Sequence, residues 1–277
     1  MERSKDRNSE ISAHYTLDGL AEAIRTGLEK LDGAGAALDL LGAVDEFHMG
    51  GRRATEALAA ALSLPEGAKV LDIGCGLGGT ARFLAATAGV DVEGVDLTPA
   101  YVEIGQALTR QLGLDDRVRL SVGQAQALPF RPESFDAATM LHVGMNIPDK
   151  AAVFAGIARM LKPGGRFAIY DVMRIGTGEV AFPVPWSSRP QTSFLATPEA
   201  YRSALAEAGL RLVSTEDRRE MALAMFRTMK QRMQDMGPPP LGLHLVMGKD
   251  APVKLSNMIA ALEAGTVAPV QMIAAKE

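Results

Sequence analysis

The sequence predicts an α/β fold of the nucleotide-binding kind, built on parallel strands. Three observations carry this. The apolar run Val70-Leu71-Asp72-Ile73 breaks into Gly74-Cys75-Gly76-Leu77-Gly78-Gly79, and a helical segment follows from Thr80 to Ala88. Eighteen residues past Gly78, a second apolar run ends in an acid, Glu93-Gly94-Val95-Asp96. Apolar runs then alternate with helical spacing to about Met173, the rhythm of parallel strand–helix–strand units. A strand, a glycine turn, a helix and a strand-end acid form the ligand half of such folds. Glycines adopt positive φ and let the backbone approach the ligand. The acid can accept both ribose hydroxyls.

The glycine turn fits two patterns. Gly74, Gly76 and Gly79 satisfy G-x-G-x-x-G, the dinucleotide fingerprint. Gly74, Gly76 and Gly78, with Asp72 two residues ahead, also satisfy D-x-G-x-G-x-G. A pyrophosphate wants a helix N-terminus free of nearby acid. An acid beside the turn suits a cation instead. The second pattern resembles motif I of class I S-adenosylmethionine (SAM) methyltransferases, whose cofactor carries an α-ammonium and a sulfonium. Asp72 also admits a plainer reading as a turn or cap acid.

Downstream segments extend the resemblance. Gly123-Gln124-Ala125-Gln126-Ala127-Leu128-Pro129-Phe130 looks like the superfamily's G-D-A-x-x-L-P-F loop, whose acid holds the adenine amino group. Gln124 replaces that acid, and an amide oxygen can still accept from an amine. Ser134 to Met140 resembles the family's fourth strand, and Leu161-Lys162-Pro163-Gly164-Gly165 its turn before the fifth. The resemblance implies a Rossmann-like, seven-stranded class I sheet with helices on both faces. It implies SAM as cofactor, S-adenosylhomocysteine as product, and Asp72, Gly74, Cys75, Gly76, Gly78, Asp96, Leu97, Gln124, Ala125 and Leu141 around the cofactor. The rival readings are a nicotinamide-dependent dehydrogenase and a non-catalytic SAM-binding module.

Composition sets limits. The chain has 277 residues, 47% of them hydrophobic, enough for a substantial core. The net charge of −4, with no long basic run, argues against nucleic acid as a partner. Cys75 is the sole cysteine, so no intrachain disulfide forms and a cytoplasmic location is expected. It fills a small-residue slot of the turn. Met1 to Glu10 is too polar for a signal peptide, and no apolar run reaches the ~18 residues of a membrane span. No metal site is expected, because the histidines and Cys75 lack ligand spacing.

The chain divides into an N-terminal helical lid (residues 1–55), a cofactor-binding core (56–227), a helical insertion over the active site (228–265) and the last strand (266–277). Met1 to Ser12 reads as a disordered lead. Helical spacing covers Leu17 to Leu31, and Asp32 to Ala36 reads as a glycine turn. Thr55 to Leu62 is an alanine-rich helix. Arg174 to Thr197, rich in glycine and proline, is a loop. Thr197 and Pro198 open a helix to Ala208. Leu210 to Thr215 is the sixth strand, helices cover Arg218 to Met236 and Pro252 to Ala264, and Val267 to Ala274 is the seventh strand.

Val44 to Thr55 is similar to the D-x-F-H-x-G-G-R-x-A-T element of glycine, sarcosine and dimethylglycine N-methyltransferases and their small-molecule relatives. The resemblance implies that Phe47, His48, Gly50 and Gly51 line the cofactor end of the cavity. Alternatively, His48 hydrogen-bonds the helix that contains Thr55. His14-Tyr15 reaches the same cavity as a lid, or Tyr15 simply packs. His142, after the fourth strand, is a candidate general base, His48 its rival, and Tyr15 the third catalytic candidate. Asp171 orients a cation or acts as a cap. The Phe182 to Trp186 loop covers the substrate mouth. Met221, Met225, Met229, Met233 and Met236 form one helical stripe. It is core packing, the face of a homodimer, or an adaptable apolar wall for the acceptor.

Methyl transfer is an in-line displacement, so the enzyme mainly aligns a lone pair and excludes water. The acceptor expected first is a small amine of the sarcosine or dimethylglycine kind. Next come a small thiol, and then O- or C-methylation of a phenol, quinone or secondary metabolite.

Overall fold

A computed structural model describes residues 2–31 and 37–277. Four helices precede the sheet: α1 (Glu2–Tyr15), α2 (Leu20–Lys30), α3 (Ala37–Asp45) and α4 (Gly51–Leu62). The core follows as β1 (Lys69–Ile73), α5 (Gly79–Ala88), β2 (Asp91–Asp96), α6 (Pro99–Gln111), β3 (Val118–Val122), β4 (Phe135–Leu141), α7 (Lys150–Met160) and β5 (Leu161–Arg174). The chain closes with α8 (Pro198–Glu207), β6 (Leu210–Asp217), α9 (Arg219–Met236), α10 (His244–Met247), α11 (Ala251–Glu263) and β7 (Val267–Lys276).

The strands form one seven-stranded sheet in the order β3-β2-β1-β4-β5-β7-β6. β1 to β5 run parallel, and β7 runs antiparallel between β5 and β6. Strands β1 and β4 read as near-continuous apolar runs because helices cover both faces of the sheet. Phe154, Phe167 and Tyr201 fill one face, with Leu71, Ile73 and Met140. Leu58, Leu84, Val70 and Val92 fill the other. Strand order reverses between β1 and β4, and a crevice opens beyond their carboxyl ends.

The sheet follows the sequence expectation, and the flanks depart from it. Glu2–Tyr15 is a helix, not a disordered lead. Its composition is polar, but Ile11 is buried and the last turn is tied to the rest of the molecule. Tertiary contacts therefore stabilise a helix that its own sequence would not hold alone. The second helix begins at Leu20 rather than Leu17, because Gly19 takes a left-handed conformation at its N-terminus. The expected turn at Asp32 to Ala36 lies outside the described residues. Helix α3 has no counterpart in the sequence reading. Helix α4 starts at Gly51, four residues before Thr55, after Gly50 turns the chain at φ 91°. The boundaries at 55/56 and 227/228 thus fall inside α4 and α9. The insertion between the last two strands is present as α9 to α11.

Candidate active site

The crevice beyond β1 and β4 is a cavity roofed by α1, the segment after α3, the loop after β5, and helices α9 to α11. Its cofactor end is built mainly by backbone. Gly74 and Gly76 sit at φ 68° and 55°. A Cβ on Gly74 would overlap Val143. The amides of Gly74 and Cys75 donate to Val95 O at 2.7 and 3.2 Å, which ties the turn to β2.

Asp96 closes β2 and is held from two sides. Gly76 N donates to Oδ2 at 2.9 Å and Thr98 N to Oδ1 at 2.8 Å. Each oxygen keeps a second lone pair for a ribose hydroxyl. Burial raises its pKa, and those amide bonds oppose the rise. Asp72 is 2% exposed and accepts from Thr139 Oγ1 at 2.7 Å through Oδ1. Its Oδ2 is buried with no partner. Burial pushes this carboxyl up to about 7, with the Thr139 bond opposing. An unpartnered buried oxygen of this kind costs about 1–3 kcal/mol until a donor reaches it. The SAM ammonium is such a donor, so the residues present fit that cofactor and disfavour a pyrophosphate.

Most of the sequence-predicted residues meet in this cavity: Tyr15, Phe47, His48, Asp72, Gly74, Cys75, Gly76, Asp96, Leu97, Gln124, Ala125, Leu141 and His142 line it. Gly50, Gly51 and Gly78 do not. Gly51 opens α4, and its carbonyl meets the His48 ring instead. Gly78 caps α5 at φ 83°, where a Cβ would overlap Leu120 and Arg82, so its role is packing. Burial holds the Cys75 thiol well above its usual pKa, and its sulfur packs close to Gly94. That suits the small-residue slot and no nucleophile.

His142 sits at φ 53°, a conformation rare outside glycine. Its amide donates to Tyr170 O at 2.7 Å, and its Nε2 is buried without a partner. Burial and the neighbouring His48 keep its pKa well below the ordinary value. His48 Nε2 lies 3.1 Å from Gly51 O and 3.0 Å from Thr55 Oγ1, the hydrogen-bonding alternative. The rings of His48 and His142 meet at 6.0 Å. Asp171 lies away from the cavity. Its Oδ2 accepts from Tyr201 OH at 2.7 Å and its Oδ1 is buried without a partner, while the nearby amides of Gly144 and Met145 oppose the rise in pKa that burial causes.

The acceptor end is made of side chains from distant segments. Tyr15 OH donates to Asn146 Oδ1 at 2.9 Å, and Asn146 Nδ2 donates to Trp186 O at 2.7 Å. His14 meets Pro185 O and Ser188 Oγ, both at 2.9 Å, and Glu10 pairs with Arg189. Helix α1 is thereby latched to the loop after β5. The methionine stripe divides by position. Met225 lines the cavity and accepts from Gly50 N at 3.1 Å, and Met221 packs beside Gly50. Met229 is partly buried, whereas Met233 and Met236 are exposed.

Sequence reasoning missed Tyr101, Asn146 and Asp45 as wall residues. Tyr101 stands in the first turn of α6, five residues past Asp96, and its buried hydroxyl has no partner. That spacing was a signal. Asn146 carried none, because its partners lie 131 and 40 residues away. Asp45 forms a buried ion pair with Arg82 at 2.6 Å, joining α3 to α5. Among the described residues, no cluster of three or more His, Cys, Asp or Glu could hold a metal. No described helix is long and apolar enough to cross a membrane.

The fold is that of class I SAM-dependent methyltransferases, and residues 70–165 match the methyltransferase domain family. The chain carries a domain of that class. It is 37% identical over 134 residues to the methyltransferase GfsG of Streptomyces halstedii, covering 48% of each chain. It is 36% identical over 137 residues to erythromycin 3''-O-methyltransferase of Saccharopolyspora erythraea, covering 49% of this chain and 45% of that one. The matches therefore span about half the length of these relatives or less. A candidate sarcosine dimethylglycine methyltransferase from Galdieria sulphuraria superposes with a TM-score of 0.67 at 27% identity, over 81% of this chain and 86% of that one.

Proposed function

We propose that this protein transfers the SAM methyl group to an apolar small molecule bearing a hydroxyl, as in O-methylation of a phenol, hydroquinone or macrocyclic alcohol. One observation carries this reading: among the described residues, no arginine or lysine lines the cavity. Met49, Met145, Trp186, Met225, Phe226 and Met258 form the acceptor wall. An amino-acid acceptor brings a carboxylate, and a phosphorylated one brings several charges. Burying either against this wall without a cation is costly. The polar groups there are neutral and few, as specificity for one hydroxyl requires. Erythromycin 3''-O-methyltransferase, a relative whose name states a hydroxyl acceptor, adds support.

SAM supplies an electrophilic methyl carbon on a sulfonium leaving group. Asp72 would hold its ammonium and Asp96 its ribose, while Gln124 and Ala125 would flank the base. Tyr15, Asn146 and the Trp186 loop would close the acceptor end against water. Their alignment of the acceptor oxygen is worth more than any single contact. His48 or His142 would take the hydroxyl proton.

Small amines remain the second reading. Its support is the Val44 to Thr55 element and the likeness to the Galdieria structure. Release of S-adenosylhomocysteine across alkylphenols, hydroquinones, thiols, sarcosine and dimethylglycine separates the readings. Turnover confined to sarcosine or dimethylglycine overturns the apolar-hydroxyl assignment.

A further inference from the structure

Behind the cavity wall a short polar chain runs through otherwise apolar packing. His48 Nε2 lies 3.1 Å from Gly51 O, and a carbonyl oxygen can only accept. Nε2 therefore carries the ring proton, which it shares with Thr55 Oγ1 at 3.0 Å. Thr55 in turn donates to Glu46 Oε2 at 2.6 Å. Glu46 is 1% exposed, and Arg52 Nε sits 3.0 Å from its other oxygen. Nδ1 of His48 has no hydrogen-bond partner among the described residues. His48 is one of the residues that line the cavity. His142 has no comparable support: its Nε2 is buried and unpartnered.

On the reading of this cavity as a methyl-transfer site, we infer that Glu46 and Thr55 are positioning residues. They hold His48 as a neutral imidazole with its proton on Nε2, leaving the Nδ1 lone pair to take the acceptor's proton. In the step, the acceptor oxygen attacks the methyl carbon, the carbon–sulfur bond breaks, and sulfur keeps the electron pair. The O–H proton moves to Nδ1. The resulting imidazolium donates through Thr55 towards the Glu46 carboxylate, whose Oε2 lies 3.8 Å from Nε2. The proton leaves to solvent when product departs.

The groups facing His48 decide how the chain responds to pH. They are Glu46, Arg52, His142 and Tyr170. Burial holds His48 down to about 4, with Arg52 acting in the same direction. Burial also pushes Glu46 up to about 7. Charging either group relaxes the other, because a carboxylate stabilises the imidazolium and the imidazolium stabilises a carboxylate. A neutral base that becomes a good proton acceptor only beside its own carboxylate is what concerted transfer needs.

The test has two independent arms. The chain has four histidines, so ¹⁵N-histidine NMR of the full protein with S-adenosylhomocysteine bound resolves each ring. His48 is expected in the Nε2–H form at pH 7. Thr55→Val leaves Gly51 O to hold that proton alone and Glu46→Gln removes the carboxylate behind Thr55, so the Nε2–H fraction should fall in both, and Thr55→Ser should restore it. An Nδ1–H ring in the wild type, or a tautomer indifferent to Thr55→Val, overturns the inference. The second arm follows turnover of 4-octylphenol. Thr55→Val should lower kcat ~10-fold or more with SAM affinity held within about twofold, and Thr55→Ser should recover most of it. If wild-type protein methylates sarcosine and not 4-octylphenol, the acceptor reading fails while the NMR arm still decides the tautomer. Equal loss of SAM binding and kcat in both Thr55 variants assigns the chain to fold stability and overturns its role in proton transfer.

Discussion

The two ends of the cavity are built from different material. The cofactor end is backbone and carboxylate: a glycine turn, two strand-end acids and the amides that hold them, drawn mostly from residues 72–98. The acceptor end is side chain: a tyrosine from α1, an asparagine after β4, a tryptophan from a loop and methionines from α9 and α11. On the proposed reading, the first end would recognise groups that every SAM molecule carries. The second is an apolar surface assembled across almost the whole chain, and it can be re-cut without disturbing the first. Fixed cofactor chemistry and variable acceptor chemistry are therefore separated in space.

That separation can be broken most strongly at Asp96. Asp96→Ala removes the proposed ribose acceptor and both tethers that order the turn. Charge-assisted bonds contribute ~1.5–3 kcal/mol each, so SAM affinity should fall ~10²-fold with the fold intact. Calorimetric titration checks it, and wild-type affinity in the variant removes the assignment.

Asp72 gives a smaller, pH-dependent effect. Its folded pKa is raised to about 7, so its contribution to the stability of the free protein is full below pH ~4 and is lost as pH rises through about 7. Above that, the free protein carries a buried charge that the SAM ammonium relieves. Binding should therefore weaken as pH falls below 7, by up to ~10-fold per unit, because one proton must leave Asp72 first. Titrations of S-adenosylhomocysteine at pH 5.5 and 7.5 should show this. A slope that persists in Asp72→Asn would place the titrating group elsewhere.

The smallest effect belongs to the lid. Tyr15→Phe deletes one hydrogen bond to Asn146, worth ~1 kcal/mol. Amide exchange in α1 should quicken about fivefold, with SAM affinity nearly unchanged. Equal exchange in the two proteins would mean that the contacts of His14 and Glu10 hold the helix unaided.

Local pattern carried the cofactor end into the sequence reading. Asp72, Gly74, Gly76 and Asp96 lie within 25 residues, and their spacing follows from one strand, one turn and the next strand. Such a unit has only one way to be built, so the glycines and acids announce themselves. The family resemblance of the motifs implied a seven-stranded sheet, and the proline and glycine breaks between the last two strands marked the insertion, but the strand order and the antiparallel β7 are visible only in the structure. Helices α1 and α3 were not legible either. Their polar or short sequences form helix only because Ile11, Leu41 and Val44 find buried neighbours elsewhere in the chain.

The sequence by itself determined the strands, the glycine turn and the acids that await the cofactor, since each depends on residues a few positions apart. Tertiary structure decided the rest. It placed Gly51 and Gly78 outside the cavity, turned Asp171 to Tyr201, and drew Met225 inward while leaving Met236 in solvent. It also set Glu46, Thr55 and His48 in one hydrogen-bonded line. The physical reason is range. Backbone conformation and helical or strand period are local, whereas the direction of a side chain, its burial and its partner are fixed only when segments up to 175 residues apart close on one another.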